Sequence, residues 1–135
     1  MQKLPVQIRF NDVDMFGHLN NTVYLQFLDM GKYAYFRSMM EGPFGSEPTA
    51  PVVANINIDF LAPSFMDEAL EVHTSVAEVG ESSIVLQQTI VNASGQEKCR
   101  ARTVMVNVDM STHRPTPVSA SWRARFAAEE GNPFE

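Results

Sequence analysis

The apolar and polar positions change their period twice near the start of the chain, and each change marks an element. Residues 5–10, PVQIRF, alternate as in a short strand. A polar stretch from Asn11 to Asn21 follows, and from Thr22 to about Met40 the apolar residues recur every three or four positions, as on one face of a helix. At 1.5 Å per residue this helix would be about 28 Å long. The polar stretch is therefore a loop that leads from a strand into a long helix.

Gly31 lies within the helical stretch. A glycine in a helix interior costs about 1 kcal/mol relative to alanine. Its presence, together with Ala34, predicts that this part of the helix packs closely on a flat surface such as a sheet.

Four further strands are predicted after the Gly/Pro/Ser-rich connection EGPFGSEPTAP. Apolar residues alternate with polar ones at Val52, Ala54, Ile56, Ile58 and Phe60, and again at Leu70, Val72 and Val76. Turns at Pro63-Ser64, Gly80-Glu81 and Ala93-Ser94-Gly95 fall at hairpin spacing, which favours antiparallel pairing. The predicted class is α+β, a long central helix wrapped by a five-stranded, mainly antiparallel sheet. Residues 118–130 are predicted to form a short helix.

The last strand has an unusual face. Lys98, Arg100 and Arg102 have the same parity as Val104 and Val106, so one face changes from basic to apolar halfway along. Two explanations fit this pattern. Either a bulge shifts the register, or the strand runs from a solvated edge into a covered zone.

Length, charge and cysteine content exclude several classes of protein. The 135 residues fit one domain, 1–135, in which 118–135 form a peripheral segment. A net charge of -6 gives no basic excess for nucleic acid or an anionic membrane surface. No stretch is apolar enough for a membrane span, and the single cysteine, Cys99, excludes an internal disulfide and reads as a packed strand residue. We therefore expect a cytoplasmic location, and no cofactor. We also expect no metal, because neither Cys99 nor the histidines have partners at metal-ligand spacing.

The loop before the helix gathers the reactive groups of the chain, in RFNDVDMFGHLNN. An ester or thioester hydrolase needs a group that attacks or activates water, and donors that meet the charge on the carbonyl oxygen. Acids in the loop can supply the first, and the unpaired amides of a helix N-terminus can supply the second. The pattern therefore indicates hydrolysis at the mouth of the helix.

Four motifs resemble those of the hotdog-fold acyl-CoA thioesterases, the 4-hydroxybenzoyl-CoA thioesterase-like family. They are Arg9-x-x-Asp12-x-Asp14-x-x-Gly17-His18-x-Asn20-Asn21-x-x-Tyr24, Ile56-x-Ile58-Asp59-Phe60-Leu61-x-Pro63, Gly80-x-Ser82-Ser83 and Asp109-x-x-Thr112-x-Arg114-Pro115-x-Pro117. The first motif is fairly specific because it fixes several residue types at set offsets, whereas each of the others is weak alone. The resemblance covers nearly the full length and implies the hotdog fold.

The resemblance implies a role for each residue of the loop. Asp14 is the catalytic carboxylate, either as nucleophile or as general base, and the backbone N–H of Asn21 is the oxyanion donor. Asp12 holds the loop, by bonding backbone amides or Arg9. His18 either takes part directly or only forms hydrogen bonds, since Phe16 stands where the plant acyl-carrier-protein thioesterases have an asparagine.

The remaining residues are candidates for substrate binding. Asn20 is the N-cap of the helix, with substrate orientation as the alternative, and Tyr24 packs with its hydroxyl near the pocket. Ser82 and Ser83, which belong to the motif Gly80-x-Ser82-Ser83, are predicted to bind substrate. Arg100 and Arg102 are candidates for the CoA phosphates, with a solvated basic edge as the alternative interpretation.

The expected activity is hydrolysis of an acyl-CoA thioester to a carboxylic acid and CoA, by a homodimer or homotetramer whose active sites lie at the subunit interface. CoA is expected rather than acyl carrier protein, because that carrier is acidic and this chain carries 16 acids against 10 Lys and Arg. Two alternatives remain: a hydratase or dehydratase of acyl thioesters, and a non-catalytic acyl-CoA binding module of the same fold.

Overall fold

The structure, a computed structural model, describes residues 1–43 and 45–134. In chain order its elements are β1 (Gln2–Val6), a 3-10 turn (Phe10–Asp12), α1 (Asn21–Arg37), β2 (Thr49–Phe60), β3 (Leu70–Val79), β4 (Ser83–Asn92), β5 (Glu97–Asp109) and α2 (Ala120–Glu130). The strands form one antiparallel sheet in the order β1-β3-β4-β5-β2. The predicted class and order of elements are confirmed. The predicted connection EGPFGSEPTAP contains Phe44, which lies outside the described residues.

Helix α1 packs across the inner face of the sheet. Val72, Leu86 and Ile90, which point inward from β3 and β4, are fully buried beneath it. Gln88 reaches up from the same face, and its Nε2 donates to the carbonyl of Leu28, 2.9 Å away. The predicted close approach at Gly31 is confirmed, because a Cβ built there would lie 2.5 Å from Val72 Cγ1.

That contact predicts the outcome of a substitution. Gly31→Ala should destabilise the chain, since overpacking costs about 1–3 kcal/mol and exceeds the gain of about 1 kcal/mol in helix propensity. Val72→Ala removes the opposing methyl, so the double variant should be more stable than the sum of the single losses by about 1 kcal/mol. Urea unfolding of all four proteins measures this coupling. Strictly additive losses would contradict the contact.

The first strand begins and ends earlier than its predicted range. β1 covers Gln2–Val6 rather than residues 5–10, and Phe10 begins a 3-10 turn. An edge strand tolerates a proline, and Pro5 sits in β1 opposite Glu71 on β3. The alternation of apolar and polar residues continues to Ile8, which is buried, but the strand itself ends at Val6.

The alternation in β2 is broken by a bulge. Val53 pairs with Met105 and Asn55 with Val104, so Ala54 is the extra residue. Val52 consequently lies on the outer face, opposite Val106, whereas Ile56 points inward. The prediction that Val52 and Ile56 share one face was wrong.

A second bulge separates Lys98 from the two arginines of β5. Ile90 pairs with Cys99 and Val91 with Glu97, which leaves Lys98 as the extra residue. Its side chain is buried, not exposed as the parity predicted. Between Cys99 and Asp109 the register against β2 shifts only on the β2 side, so Arg100 and Val106 do share the outer face. The alternative interpretation of Arg100 and Arg102 as a solvated edge of the sheet is wrong, because β5 lies between β4 and β2.

A second apolar cluster lies under α2, which confirms the predicted C-terminal helix. Tyr35 and Phe126 are fully buried there, and their rings stack with centroids 6.5 Å apart. Arg123 fastens the helix to the β3–β4 hairpin through the carbonyls of Gly80 and Glu81. Cys99 is buried among the apolar residues beneath α1, as predicted. Within the described ranges, no helix combines the length and the apolar character needed to cross a membrane.

Candidate active site

The loop before α1 is a small hairpin of its own. Its arms are joined by a bridge between Val13 and Leu19, and Asp14 N donates to His18 O at 2.8 Å. Gly17 closes the tip with a positive φ of 78°, a conformation that glycine adopts without strain. The returning arm also pairs with the segment after β2, since Leu19 N donates to Ser64 O at 2.7 Å. The sheet thus holds the hairpin at the start of the helix.

Asp14 uses one carboxylate oxygen to hold the tip of this hairpin. Its Oδ1 accepts hydrogen bonds from Phe16 N at 2.9 Å and from His18 N at 3.1 Å. In the part of the chain that the structure describes, its Oδ2 has no partner, and the residue is exposed. The carboxylate is therefore fixed in place with one oxygen open to a reactant.

Asp12 has a different environment. It is 2% exposed, and it accepts hydrogen bonds from the backbone N and the guanidinium of Arg9 at 2.8 to 3.2 Å. These bonds hold the pKa of the Asp12 carboxyl below its usual range, with the side-chain bond to Arg9 as the largest cause. The Asp12 carbonyl also accepts from Asn20 N at 2.8 Å. The prediction that Asp12 holds the loop is confirmed.

The first turn of α1 leaves one amide open. Asn20 is the predicted N-cap, and its side chain accepts from Thr22 N. Val23 N bonds back to Asn20 O at 2.9 Å. Asn21 N, the first helical amide, has no acceptor among the described residues. A free N–H at the positive end of a helix is a natural donor to a developing oxyanion.

The ring of His18 packs against an aromatic side chain and is not paired with Asp14. It packs edge-on against Phe65 with centroids 5.2 Å apart, and the residue is half-buried. Its contact with Asp14 is through the backbone N–H. Within residues 1–43 and 45–134, no hydrogen bond joins the imidazole to the Asp14 carboxylate.

Tyr24 and a buried ion pair support the hairpin from below. The Tyr24 hydroxyl lies 2.8 Å from Ser64 Oγ, and burial raises the pKa of this phenol. Lys98 Nζ donates to Pro63 O at 2.9 Å and pairs with Glu68 at 3.0 Å. Burial alone would raise the pKa of Glu68, but bonds from Asn92 and Lys98 outweigh it and lower the pKa. Sequence reasoning missed this support, since the alternation allowed a bulge in this strand but did not place it at Lys98.

The other predicted substrate contacts lie apart from Asp14 within one chain. Ser83 pairs with Val106 and Phe60 pairs with Cys99, so the Ser82-Ser83 corner lies toward the other end of the sheet from Phe60, about 24 Å along β5 at 3.4 Å per residue. Arg100 and Arg102 are exposed on the outer face, where they pair with Glu97 and Glu78. One chain therefore brings Asp14, His18, Asn20, Asn21 and Tyr24 together and leaves the two serines and two arginines outside this group.

An apolar groove runs between the C-terminal half of α1 and the start of β2. Its volume is about 450 Å³, within the range of small-molecule sites. The walls include Tyr33, Phe36, Pro51, Met105 and Trp122. It lies at the end of the sheet opposite Asp14, because Pro51 pairs with Asn107, far along β5 from Cys99.

Comparison with known proteins places the chain in a family. Residues 8–126 match the model of the thioesterase-like superfamily. The chain belongs to this family, and its fold is the hotdog fold. The predicted resemblance and the predicted class of enzyme, a thioester hydrolase, are confirmed.

Individual relatives agree with this class. The acyl-CoA thioester hydrolase YbgC of Escherichia coli O6:H1 is 27% identical over 124 residues, which cover 90% of this chain and 92% of the relative. The long-chain acyl-CoA thioesterase FadM of Escherichia coli K12 is 24% identical over 123 residues, 90% of this chain and 93% of the relative. A thioesterase of Thermus thermophilus, solved with coenzyme A and Zn, superposes with a TM-score of 0.86 at 26% identity, covering 98% of this chain and 96% of that one.

Proposed function

We propose that this chain hydrolyses acyl-CoA thioesters to a carboxylic acid and CoA, with Asp14 as the catalytic carboxylate. One observation carries the proposal. Asp14 is fixed by two backbone hydrogen bonds, yet keeps Oδ2 open beside a helix that begins with an unpaired amide at Asn21. The names of the relatives, an acyl-CoA thioester hydrolase and an acyl-CoA thioesterase, supply the class of substrate.

The two groups divide the reaction between them. Asp14 Oδ2 either attacks the thioester carbonyl, which expels CoA as a thiolate and leaves an acyl-aspartyl anhydride for water to hydrolyse, or takes a proton from the attacking water and returns it to the departing thiolate. Both routes break the C–S bond and yield the carboxylic acid and CoA. Asn21 N–H donates to the carbonyl oxygen as negative charge grows on it, a contribution of about 3 to 4 kcal/mol for one such donor. The His18 ring, turned toward Phe65, orders the hairpin and leaves the proton transfer to Asp14.

The free edge of β2 supports a dimer. This strand is 12 residues long and ends the sheet, and Val52, Val53 and Phe60 on it are nearly half exposed. A long apolar edge with unpaired backbone groups is a template for pairing with another strand. A second copy would pair with it antiparallel about a twofold axis, which extends one sheet through both subunits.

Such pairing would complete the site. In an antiparallel pair centred on the middle of β2, Phe60 of one copy lies opposite the Thr49–Pro51 end of the other. Tyr24 contacts Phe60, with ring centroids 5.5 Å apart, so the Asp14 hairpin sits at this end of β2. The Ser82-Ser83 corner lies near the other end, through the pairing of Ser83 with Val106 and of Val106 with Val52. Each site would therefore combine Asp14 of one copy with Ser82 and Ser83 of the second.

The arginines of β5 are proposed to hold the CoA phosphates. Both are exposed, and their acidic partners are at least a third exposed, so an anionic group can compete for them. Arg100→Ala/Arg102→Ala should raise KM for an acyl-CoA about tenfold and leave the N-acetylcysteamine thioester of the same acid unchanged, because the short thioester has no phosphate. Equal effects on both substrates would contradict this role.

Thiol release measured over acyl-CoAs from acetyl to palmitoyl, with aromatic members, tests the activity itself. Crotonyl-CoA incubated separately distinguishes the hydratase alternative, since hydration consumes the double bond without releasing thiol. Thiol release from at least one acyl-CoA, lost in Asp14→Asn, is the expected result. Tight binding of acyl-CoAs with neither reaction would instead favour the non-catalytic binding module.

A further inference from the structure

We infer that Trp122 of α2 forms the end wall of an acyl-chain groove and sets the length of the aliphatic chain that the enzyme accepts. The inference rests on the proposed function for the identity of the substrate. The groove itself, between α1 and the start of β2, is a feature of the single chain.

Trp122 lines two neighbouring cavities. One is the groove of about 450 Å³, and the other is a small cavity of about 20 Å³ between the sheet and α2. Phe36, Thr49, Pro51 and Trp122 line both. Of these, Phe36 belongs to α1, Thr49 and Pro51 belong to the sheet, and Trp122 comes from the C-terminal helix. Truncating the indole would join the groove to the space behind it.

The indole is held in place on both sides. The guanidinium of Arg125 lies 4.5 Å from the ring centroid, and it is positioned in turn by Glu47, 3.4 Å away. The ring packs edge-on against Phe36 with centroids 6.2 Å apart and tilts against Phe126 at 5.6 Å. A cation over an indole face and two aromatic neighbours fix one orientation of the side chain. Trp122 is therefore a rigid wall.

The chemistry of the groove fits a hydrocarbon chain. Lys32, at its rim, is paired with Asp29 at 3.2 Å, and Arg125 is paired with Glu47. Each of these two pairs satisfies its own charges, and the remaining cation of the lining, Arg37, donates to the carbonyl of Met40 at 3.5 Å. The apolar lining includes Met40, Met105 and Met110, whose flexible thioethers adapt to a chain of variable conformation. We take the occupant to be the unbranched aliphatic chain of the acyl group.

The groove also opens toward the reacting group in the proposed dimer. Ala50 and Pro51 line it, and they belong to the end of β2 that would face the Asp14 hairpin of a second copy. The thioester would then lie at Asp14 of one copy while the chain runs into the groove of the other, toward Trp122. Trp122, at the far end of that path, would then limit the length of the acyl chain.

The main experiment compares chain-length profiles of the parent, Trp122→Ala and Trp122→Phe by thiol release from saturated acyl-CoAs. Each methylene buried in the groove should raise kcat/KM about fourfold until the chain reaches the wall. Trp122→Ala should move the end of this rise to chains longer by about two or more methylenes, since the indole covers the area of several. Trp122→Phe retains an aromatic wall and should shift it less. Identical profiles in all three would overturn the inference.

A binding measurement separates this inference from the proposed function. Trp122 is the only tryptophan of the chain, so its fluorescence reports on the end wall directly. In Asp14→Asn, titration with hexanoyl-, decanoyl- and tetradecanoyl-CoA should change the emission only for chains long enough to reach the indole. A length-dependent response without hydrolysis in the parent would support the groove and reject the thioesterase. Emission that responds to dilution of the protein but to none of the chains would show that a second copy fills the groove, and would overturn the inference.

Discussion

Asp14→Asn is expected to lower kcat for thioester hydrolysis by about a thousandfold or more while the chain folds normally. An amide can neither attack a carbonyl nor accept the proton of a water, so the chemical step loses its essential group. The carbonyl oxygen of asparagine can still accept the hydrogen bonds that Phe16 N and His18 N now make to Asp14 Oδ1. The hairpin should therefore keep its geometry, and thiol release together with circular dichroism measures both effects.

Asp109→Asn is the matched control for this substitution. Asp109 also holds a turn with one carboxylate oxygen, which accepts from Ser111 N at 2.7 Å and Thr112 N at 3.2 Å. Within its own chain it lies at the end of β5 away from Asp14, and its Oδ1 is taken up by the turn at Ser111 and Thr112. The control should change activity less than about twofold. If Asp14→Asn stayed within about tenfold of the parent, a loss of only about 1.4 kcal/mol, the assignment of Asp14 would be wrong.

Val53→Lys should convert the proposed dimer into a monomer and lower activity by at least about a hundredfold. Val53 lies on the inner face of the edge strand and is 49% exposed. The chain can accommodate a lysine there, but a charge pointing inward at an edge opposes pairing with another strand. A site that needs both copies loses its alignment when they separate, and such misplacement typically costs two orders of magnitude or more. Light scattering and thiol release on the same samples make the measurement.

Ser121→Lys adds the same charge on the exposed side of α2 and should leave mass and activity unchanged. A second route to the monomer is dilution of the parent, in which activity should fall with the dimer fraction. A Val53→Lys monomer with full activity would refute a site shared between copies.

The hydrophobic periods predicted most of the fold because they follow directly from burial. The face of α1, the packing of Gly31 on the sheet and the succession of elements along the chain all depend on which side of an element is apolar. The bulge at Ala54 was not predictable in this way, and the periods allowed a bulge in the last strand only as one of two explanations, without placing it at Lys98. One extra residue shifts every later side chain to the other face, and neither residue type marks the position.

The candidate site, like the fold, could be predicted from the sequence only where local patterns determine it. The loop motif located Asp14, the N-cap Asn20 and the supporting Asp12, because their roles depend on neighbours within a few residues. The groove and its end wall depend on α2 folding back beside the start of β2, which involves residues more than 70 positions apart, as in the pair of Arg125 with Glu47, 78 positions apart. No local pattern around Trp122 predicts that contact.

The bulge at Ala54 also limits how the exposed edge can associate. It divides β2 into two halves whose inward-facing residues follow different parity, Val53 before it and Ile56 after it. A uniform strand can slide along its copy and recruit further copies without end, which is the geometry of a fibril. Two bulged strands pair well only in the register that accommodates both bulges. In a slipped register, inward-facing residues of one strand would lie beside outward-facing residues of the other. The extra residue would thus act as a register lock that favours a closed pair over open-ended polymerisation.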